Sequence, residues 1–301
     1  MANTTDQTNK LFIGPAGWSY ADWHGVFYPT KSSSKFDELA YLARYFNVIE
    51  INSSYYHPPS VDAARSWIKR VSTNKHFRFT AKLWQKFVLE RSTYTNNDVE
   101  NVQRALDILQ DAELLGAVLV QFPQSFKNTI EGRSWLFRVL SIFKMYPLFV
   151  EFRHASWNVR QTFDLLNETN AGFVNIDQPV IGNALGFTEK ITSGKGYFRF
   201  HGQNTTMWFN EKAGRDDRYN YTYGKDELDI FTRTIQKNAL EAESIYIIFN
   251  NHYKGQALRN AFELEFLLTK EKQNIPDQLI KTYPQLISIR KPEDPQQLEL
   301  F

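Results

Sequence analysis

Side chains that could bind an anion or transfer a proton recur at the carboxyl ends of strand-like runs in this chain. Lys82 ends the run RFTAK, Arg153 ends VEFR and His201 ends FRFH. Lysine and arginine hold phosphate or carboxylate groups, and arginine offers a bidentate fork. Glu151 and Asp177 could act as general acid and base if their surroundings separate their pKa values. We therefore expect acid–base chemistry on an anionic substrate. The candidate catalytic residues are Lys82, Glu151, Asp177 and His201.

The carboxylates and the imidazole at these strand ends also suggest a divalent metal site. Its candidate ligands are Glu151, Asp177 and His201. Each acidic strand end has a basic neighbour, however, and nearby cations compete for the carboxylate oxygens that a metal ion needs. A divalent metal is therefore the weaker alternative, and the sequence does not firmly imply any cofactor.

Further polar and aromatic side chains are expected at the same rim. Aromatic residues make up 15% of the chain, and aromatics beside basic residues are typical of sites that stack on bases or sugars. The predicted substrate-binding residues are Asn52, Tyr55, Gln121, Arg153, Trp157, Arg199 and Asn250. A purely structural alternative stays open, because ionised groups inside a barrel neutralise one another. In this alternative, the deeper residues Glu50, Arg78, Glu151 and Arg199 form an ion-pair network that fills the barrel.

The elements that position these residues are runs in which polar and apolar side chains alternate, as they do in strands with two different faces. Eight runs predict strands at residues 11–18, 47–52, 77–82, 117–122, 148–153, 172–177, 196–201 and 244–250. Helical periodicity predicts helices at 36–46, 61–71, 98–115, 130–145, 157–169, 226–240 and 256–269. Between the sixth and seventh strands no helix is predicted.

This alternation of strands and helices predicts an α/β fold, a single (β/α)8 TIM-barrel-like domain. The strand-to-helix links at 19–35, 83–97, 178–195 and 203–225 are long, and they lie on the face where barrel enzymes have their sites. We divide the chain into a polar N-terminal tail at 1–10, the barrel at 11–275 and a proline-spaced C-terminal tail at 276–301.

Composition excludes several classes of protein. The 301 residues include 35 Lys and Arg against 33 Asp and Glu, a net charge of +2, so no overall field attracts nucleic acid or a membrane. The absence of cysteine excludes disulfides, cysteine metal ligands and thiol catalysis. The polar start is unlike a signal peptide, and no run reaches the about 18 to 20 apolar residues of a spanning helix. We expect a cytoplasmic protein with no membrane partner.

Several motifs together resemble the YecE-like family, a domain of unknown function with a TIM-barrel fold. They include IGPAGWSYADWHGVFYP at 13–29, VIEINSSYYHPP at 48–59, VEFRHASW at 150–157, YFRFHG at 197–202 and IIFNNHYKGQALRNAFEL at 247–264. The resemblance covers about residues 11–270 and implies the barrel and its polar site, to which it adds Asn251. Asp177 lies on the stretch that matches least, and the family brings no settled reaction.

The last five residues, QLELF, resemble the pentapeptide by which bacterial replication and repair proteins dock on the DNA sliding clamp. Gln297 offers an amide for paired hydrogen bonds, and Leu298, Leu300 and Phe301 are apolar anchors for a groove. In the alternative, this apolar end packs on its own domain.

The leading hypothesis is a hydrolase-like or isomerase-like barrel enzyme that acts on a phosphate-bearing substrate, either nucleic acid or a nucleotide. Lys82 and Arg153 would hold the phosphate, His201 and Asp177 would transfer protons, and the C-terminal tail would recruit the protein to the sliding clamp. The alternatives are an enzyme acting on a small sugar-like molecule and a non-catalytic module that binds a ligand or nucleic acid.

Overall fold

The fold is a parallel barrel, seen in a computed structural model that describes residues 10–30, 36–91, 93–208 and 214–292. In these residues eight strands form one sheet in the order β1-β8-β7-β6-β5-β4-β3-β2. The strands are β1 (Leu11–Pro15), β2 (Val48–Ile51), β3 (Arg78–Lys82), β4 (Leu115–Gln121), β5 (Leu148–Glu151), β6 (Gly172–Asp177), β7 (Lys195–Phe200) and β8 (Ser244–Phe249). Each overlaps a predicted strand.

The sheet closes nearly completely where β1 meets β2. Ala16 and Glu50 form an isolated parallel bridge, and the Gly17 N–H donates to the Glu50 carbonyl oxygen over 2.8 Å. The two chains approach so closely that a Cβ atom on Gly14 would lie 1.9 Å from the Val48 carbonyl oxygen. The predicted (β/α)8 TIM-barrel-like domain is therefore confirmed.

Helices alternate with the strands over most of the chain. They are α1 (Glu38–Leu42), α2 (Val61–Val71), α3 (Asn96–Asp111), α4 (Ile130–Ile142), α5 (Arg160–Glu168), α6 (Thr205–Trp208), α7 (Arg215–Arg218), α8 (Lys225–Ala239), α9 (Gln256–Thr269) and α10 (Asp277–Thr282). As predicted, no helix lies between β6 and β7, where residues 178–194 form a described loop. Among the described residues, no helix is both long enough and apolar enough to cross a bilayer.

Alternation along each strand determines which side chains enter the barrel. In β7 Tyr197 and Arg199 point inward, whereas Phe198 and Phe200 pack outward toward the helices, and the Phe200 ring lies 4.4 Å from that of Phe231 on α8. Burying each such aromatic side chain stabilises the fold by about 2 to 3 kcal/mol relative to leaving it exposed. The outer layer therefore holds the barrel together, and polar side chains can occupy its interior.

The start of the predicted C-terminal tail differs from the prediction. Residues 277–282 form α10, and Pro284–Ile289 forms a 3-10 helix. Leu279, Leu286 and Ile289 are buried there, and Leu286 and Ile289 line a pocket together with Phe266 of α9. The predicted clamp-binding residues Gln297, Leu298, Leu300 and Phe301 lie outside the described residues, as do residues 1–9.

Candidate functional site

A buried guanidinium group joins β7 to three other strands at the carboxyl-terminal end of the barrel. Arg199 of β7 is fully buried, and its Nη2 donates to Oε1 of Glu50 on β2 over 2.7 Å. Its Nη1 donates to Oε2 of Glu151 on β5 and to Oε1 of Gln121 on β4, the latter over 3.2 Å. Burial alone would lower the pKa of Arg199, but the carboxylates of Glu151 and Glu50 outweigh burial and raise it above its ordinary value.

Glu151 is held ionised between two cations. Its Oε1 lies 2.5 Å from Nε of Arg153, and its Oε2 accepts from Arg199. Burial would raise the pKa of Glu151, but Arg153 and Arg199 hold it well below the usual range. A carboxylate that stays ionised cannot supply a proton near neutral pH, so this geometry favours an anchoring role over that of a general acid.

His201 lies against the same cations. Its Nε2 is 3.0 Å from Nη2 of Arg153 and 3.4 Å from Nη1 of Arg199, and its Nδ1 is 3.0 Å from the side-chain amide nitrogen of Asn250. Burial and the positive charges of Arg153 and Arg199 lower the pKa of His201 well below its ordinary value. The imidazole is therefore neutral at pH 7.

Lys82 completes the group of charges at the end of β3. Its Nζ lies 3.9 Å from Oε1 of Glu50 and 5.8 Å from the centre of the Tyr55 ring. Burial and the positive charge of Arg199 lower the pKa of this ammonium to about 8. The cluster thus sets two carboxylates, Glu50 and Glu151, against three basic groups, and it carries one excess positive charge when Lys82 is protonated.

A pocket of about 170 Å³ opens above this cluster. Lys82, Asn52 and Asn250 supply polar groups to its lining, and the other lining residues are Tyr20, Tyr55, Tyr56, Tyr219 and His252. The His252 ring stacks on Tyr20 at 4.5 Å and lies 5.3 Å from Tyr219. The pocket therefore combines a positively charged floor with aromatic walls.

The comparisons with known proteins agree with the fold. The model of the DUF72 family, described as a protein of unknown function, matches residues 12–285. The chain belongs to the DUF72 family. Its resemblance to the YecE-like family is thereby confirmed, and the match includes every strand that carries the site.

Three relatives of this DUF72 protein align over nearly their whole length. It is 26% identical to the UPF0759 protein YunF of Bacillus subtilis, over 89% of this chain and 99% of YunF. A solved DUF72 family protein of Thermotoga maritima is 30% identical, with a TM-score of 0.75 over 86% of this chain and 98% of that one. A DUF72 family protein of Enterococcus faecalis is 24% identical and shares the fold, with a TM-score of 0.77, over 88% of this chain and 98% of its own.

The predicted site residue Asp177 does not enter the cluster. In the register between β6 and β7 it is paired with the outward-facing Phe200, whereas Ile176 is paired with the inward-facing Arg199. Its carboxylate accepts hydrogen bonds from the Tyr223 hydroxyl at 2.5 Å and from the Gln203 amide at 2.6 Å. Burial raises the pKa of Asp177 to about 6. The group is titratable, but it lies on the outer side of the sheet, so it is not placed to serve as a base for the pocket.

Of the predicted substrate-binding residues, three line the pocket (Asn52, Tyr55 and Asn250), three lie in the charge cluster (Gln121, Arg153 and Arg199), and Trp157 and Asn251 lie in neither. Trp157 is fully buried, stacks on Phe152 at 4.4 Å and donates its indole N–H to the Phe126 carbonyl oxygen over 2.8 Å. Asn251 is buried and donates to the Tyr221 carbonyl oxygen over 2.9 Å. Trp157 therefore supports the layer between strands and helices, and Asn251 supports a loop.

The three predicted metal ligands do not converge, because Asp177 faces away from Glu151 and His201. In the described part of the chain no cluster of three or more His, Asp or Glu could hold a metal ion.

The structure adds residues that the sequence analysis missed. Gln178, one residue after β6, accepts from Nη1 of Arg153 over 2.6 Å. Tyr197 donates its hydroxyl to Oε2 of Glu50 over 2.9 Å. Tyr197 precedes Arg199 by two positions, so strict alternation could have identified it. His252 lies in a loop, where alternation gives no signal.

Proposed function

We propose that this DUF72 protein is a hydrolase-like or isomerase-like enzyme that acts on a phosphate-bearing substrate, a nucleotide or a nucleic-acid end, in the pocket above Lys82. The observation that carries the proposal is the excess positive charge of the cluster. Its two carboxylates are matched by Arg199 and Arg153, and Lys82 remains as a further cation at the pocket wall. A buried charge imbalance of this kind is relieved when an anionic group binds.

The size and lining of the pocket favour a single nucleotide or a chain end over a duplex. At about 170 Å³ it is smaller than the about 300 to 1,000 Å³ typical of ligand pockets, so it accepts a phosphate and part of the attached group. Tyr55, Tyr56 and Tyr219 offer ring faces or edges to a base or a sugar. Asn52 and Asn250 add amide groups that orient the substrate.

In this proposal the guanidinium of Arg153, which lies in the charge cluster next to the pocket and not among its lining residues, adds positive charge that attracts the phosphate. Lys82, with its pKa near 8, is the pocket-lining group best placed to exchange a proton. His201 acts as a neutral partner that orients the Arg153 guanidinium through the 3.0 Å contact.

Calorimetric titration with inorganic phosphate and nucleoside monophosphates tests the proposal. We expect binding that weakens about tenfold or more in Lys82→Met and in Arg153→Met, which removes about 1.4 kcal/mol or more. Arg104→Met is the matched control, because that arginine pairs with Glu100 on an exposed helix face. Equal affinity in all three variants would contradict the proposal.

Turnover assays separate the remaining alternatives. Nuclease, phosphatase and isomerase panels, with and without Mg²⁺ or Mn²⁺, should give activity that Lys82→Met removes. Phosphate binding without any turnover would instead favour a binding module. Binding of sugars that carry no phosphate, with little salt dependence, would favour the sugar-like substrate.

The proposed recruitment to the sliding clamp is supported by the sequence of the C-terminal pentapeptide. We expect purified bacterial clamp to retain the intact protein and to lose a variant that lacks residues 297–301. Phe301→Ala should lose retention as well, whereas Glu299→Ala leaves the glutamine and the apolar anchors in place and should be retained. Equal retention of all variants would exclude the proposed docking.

A further inference from the structure

Lys82 is not needed to neutralise the carboxylate beside it. Oε1 of Glu50 accepts a 2.7 Å hydrogen bond from Arg199, and Oε2 accepts one of 2.9 Å from the Tyr197 hydroxyl. Lys82 lies farther away, with Nζ 3.9 Å from Oε1. Lys86, four residues further along the chain, has a close ionic partner, because its Nζ lies 3.1 Å from the Asp98 carboxylate. The Lys82 amine is thus a loosely held group at the wall of a pocket.

The surroundings of this amine increase the fraction of its neutral form relative to an exposed lysine. Its side chain is only 14% exposed, and Glu50 of β2 and Arg199 of β7 face it together with Glu151, Arg153 and the Tyr55 ring. With its pKa lowered to about 8, about one Lys82 side chain in ten is unprotonated at pH 7. For an ordinary lysine the fraction is about one in several thousand. Desolvation and adjacent cations are the features that activate lysine as a nucleophile.

We propose that Lys82 forms an imine with a small carbonyl compound that bears an anionic group, such as a 2-oxo acid or a phosphorylated ketone or aldehyde. The inference rests on the proposed function, because the same pocket must bind the anionic group, and it narrows the substrate class. The carbonyl carbon would lie at Nζ while the phosphate or carboxylate lies toward Arg153.

The step balances without an oxidant or a reductant. The neutral Nζ adds to the carbonyl carbon, a C–N bond forms, and one proton moves from the nitrogen to the former carbonyl oxygen to give a neutral carbinolamine. One further proton on that oxygen lets the C–O bond break, water leaves, and a protonated imine remains. Counted from the Lys82 ammonium ion, one ammonium ion and one carbonyl compound give one protonated imine and one water molecule, so the net charge does not change. Glu50 therefore faces a positive charge before and after the reaction, and this favours the imine in a partly buried site.

Reductive trapping tests the inference on the full chain. The protein is incubated with pyruvate or with dihydroxyacetone phosphate in the presence of sodium cyanoborohydride, and the modified lysine is located by peptide mass mapping. We expect Lys82 to be modified at least about tenfold faster than Lys86, because Lys82 lines the pocket that would hold the anionic group next to its amine, whereas Nζ of Lys86 contacts Asp98 outside that pocket. Modification should saturate with the carbonyl compound, inorganic phosphate should slow it, and acetone, which carries no charge, should react poorly.

Two variants complete the experiment. Lys82→Arg keeps the charge but has no amine that can be trapped, so the saturable adduct should disappear. Lys86→Arg should leave the adduct unchanged. The wild-type peptide map decides by itself if Lys82→Arg does not fold. Labelling of Lys82 no faster than that of Lys86 would overturn the inference. If inorganic phosphate still binds in that case, the proposed function stands without the imine, whereas loss of both results overturns both proposals.

Discussion

The Nη2 atom of Arg199 and the Oε1 atom of Glu50 form a 2.7 Å hydrogen bond inside the barrel, with neither side chain exposed to solvent. The bond joins β7 to β2 across the barrel interior, since the two strands are not neighbours in the sheet. The Glu50 main chain also forms the bridge that brings β1 to β2. One residue therefore takes part both in closing the barrel and in anchoring the charge cluster.

The first prediction concerns the stability that Arg199 provides. Arg199→Met leaves the carboxylates of Glu50 and Glu151 without this partner, so we expect a loss of about 3 to 5 kcal/mol in the free energy of unfolding. Urea unfolding measures it. Arg104→Met, at a pair in which both side chains are about 60% exposed, should cost less than about 1 kcal/mol. Similar losses in the two variants would mean that the cluster is not the anchor of the interior.

The second prediction concerns closure of the barrel. Gly14→Ala places a Cβ atom 1.9 Å from the Val48 carbonyl oxygen, so β1 and β2 must move apart. We expect a loss of more than about 3 kcal/mol, because backbone cannot yield as a flexible side chain can. Gly186→Ala is the control, since its Cβ would meet a Val180 methyl at an ordinary 3.6 Å. Thermal unfolding of the two variants should differ clearly, and equal melting temperatures would contradict a close approach at Gly14.

The strands could be predicted from the sequence because period-two alternation is strong where a strand has a polar and an apolar face. This pattern correctly placed Lys82, Glu151, Arg153, Arg199 and His201 in one interior cluster. In β6 the prediction of which face points inward was wrong. No helix lies between β6 and β7, and the loop at 178–194 packs on the outer face of β6 beside α5, whose Phe163 ring lies 5.2 Å from that of Phe173. The side-chain amide of Asn175 on β6 forms two hydrogen bonds with the backbone of that loop. It donates to the Lys190 carbonyl oxygen over 2.8 Å and accepts from the Lys190 N–H over 2.7 Å. Polar residues on β6 therefore mark its outer face.

How the pocket walls pack on one another was less predictable, for a different reason. Tyr20 and His252 lie in the loops after β1 and β8, where no periodicity relates sequence position to direction. Their stacking at 4.5 Å depends on how two loops, more than 200 positions apart in the chain, meet at the rim. Trp157 shows the converse, because an aromatic next to a strand end was assigned to the rim and instead fills the layer between strands and helices.

The third prediction concerns the pH dependence that Asp177 adds to stability. Burial raises the pKa of Asp177 from 3.8 to about 6, so between these values the folded state holds a proton that the unfolded chain has released. Its contribution to stability is therefore full below pH 4 and is lost as the pH rises through 6. We expect Asp177→Asn to gain about 2 kcal/mol relative to the wild type between pH 4 and pH 7.

Chemical denaturation at several pH values measures this difference. Asp98→Asn is the control of opposite sign, because hydrogen bonds from Thr95 in the capping box lower the pKa of Asp98. The stability that Asp98 provides is present above its unfolded pKa, so this variant should lose stability relative to the wild type as the pH rises. A flat difference for Asp177→Asn would show that its carboxyl group is not titrating near pH 6.

The fourth prediction changes the charge of the cluster without removing a cation. Glu50→Gln keeps an oxygen that can accept from Arg199, but it raises the net charge of the cluster by one unit. Glu50 raises the pKa of Lys82, so its loss should move that pKa further down. At pH 6, where Lys82 stays largely protonated, inorganic phosphate should bind more tightly by about 1 to 2 kcal/mol in a site of intermediate dielectric.

Calorimetric titration at pH 6 measures the affinity, and competitive acetylation across pH 6 to 10 follows the titration of Lys82. Glu100→Gln alters the net charge by the same unit, but at a surface pair with Arg104 whose side chains are mostly exposed, where solvent and salt screen it. It should leave both measurements unchanged. If Glu50→Gln weakens phosphate binding while the variant stays folded, the carboxylate itself must contact the ligand. The excess positive charge would then no longer explain anion binding.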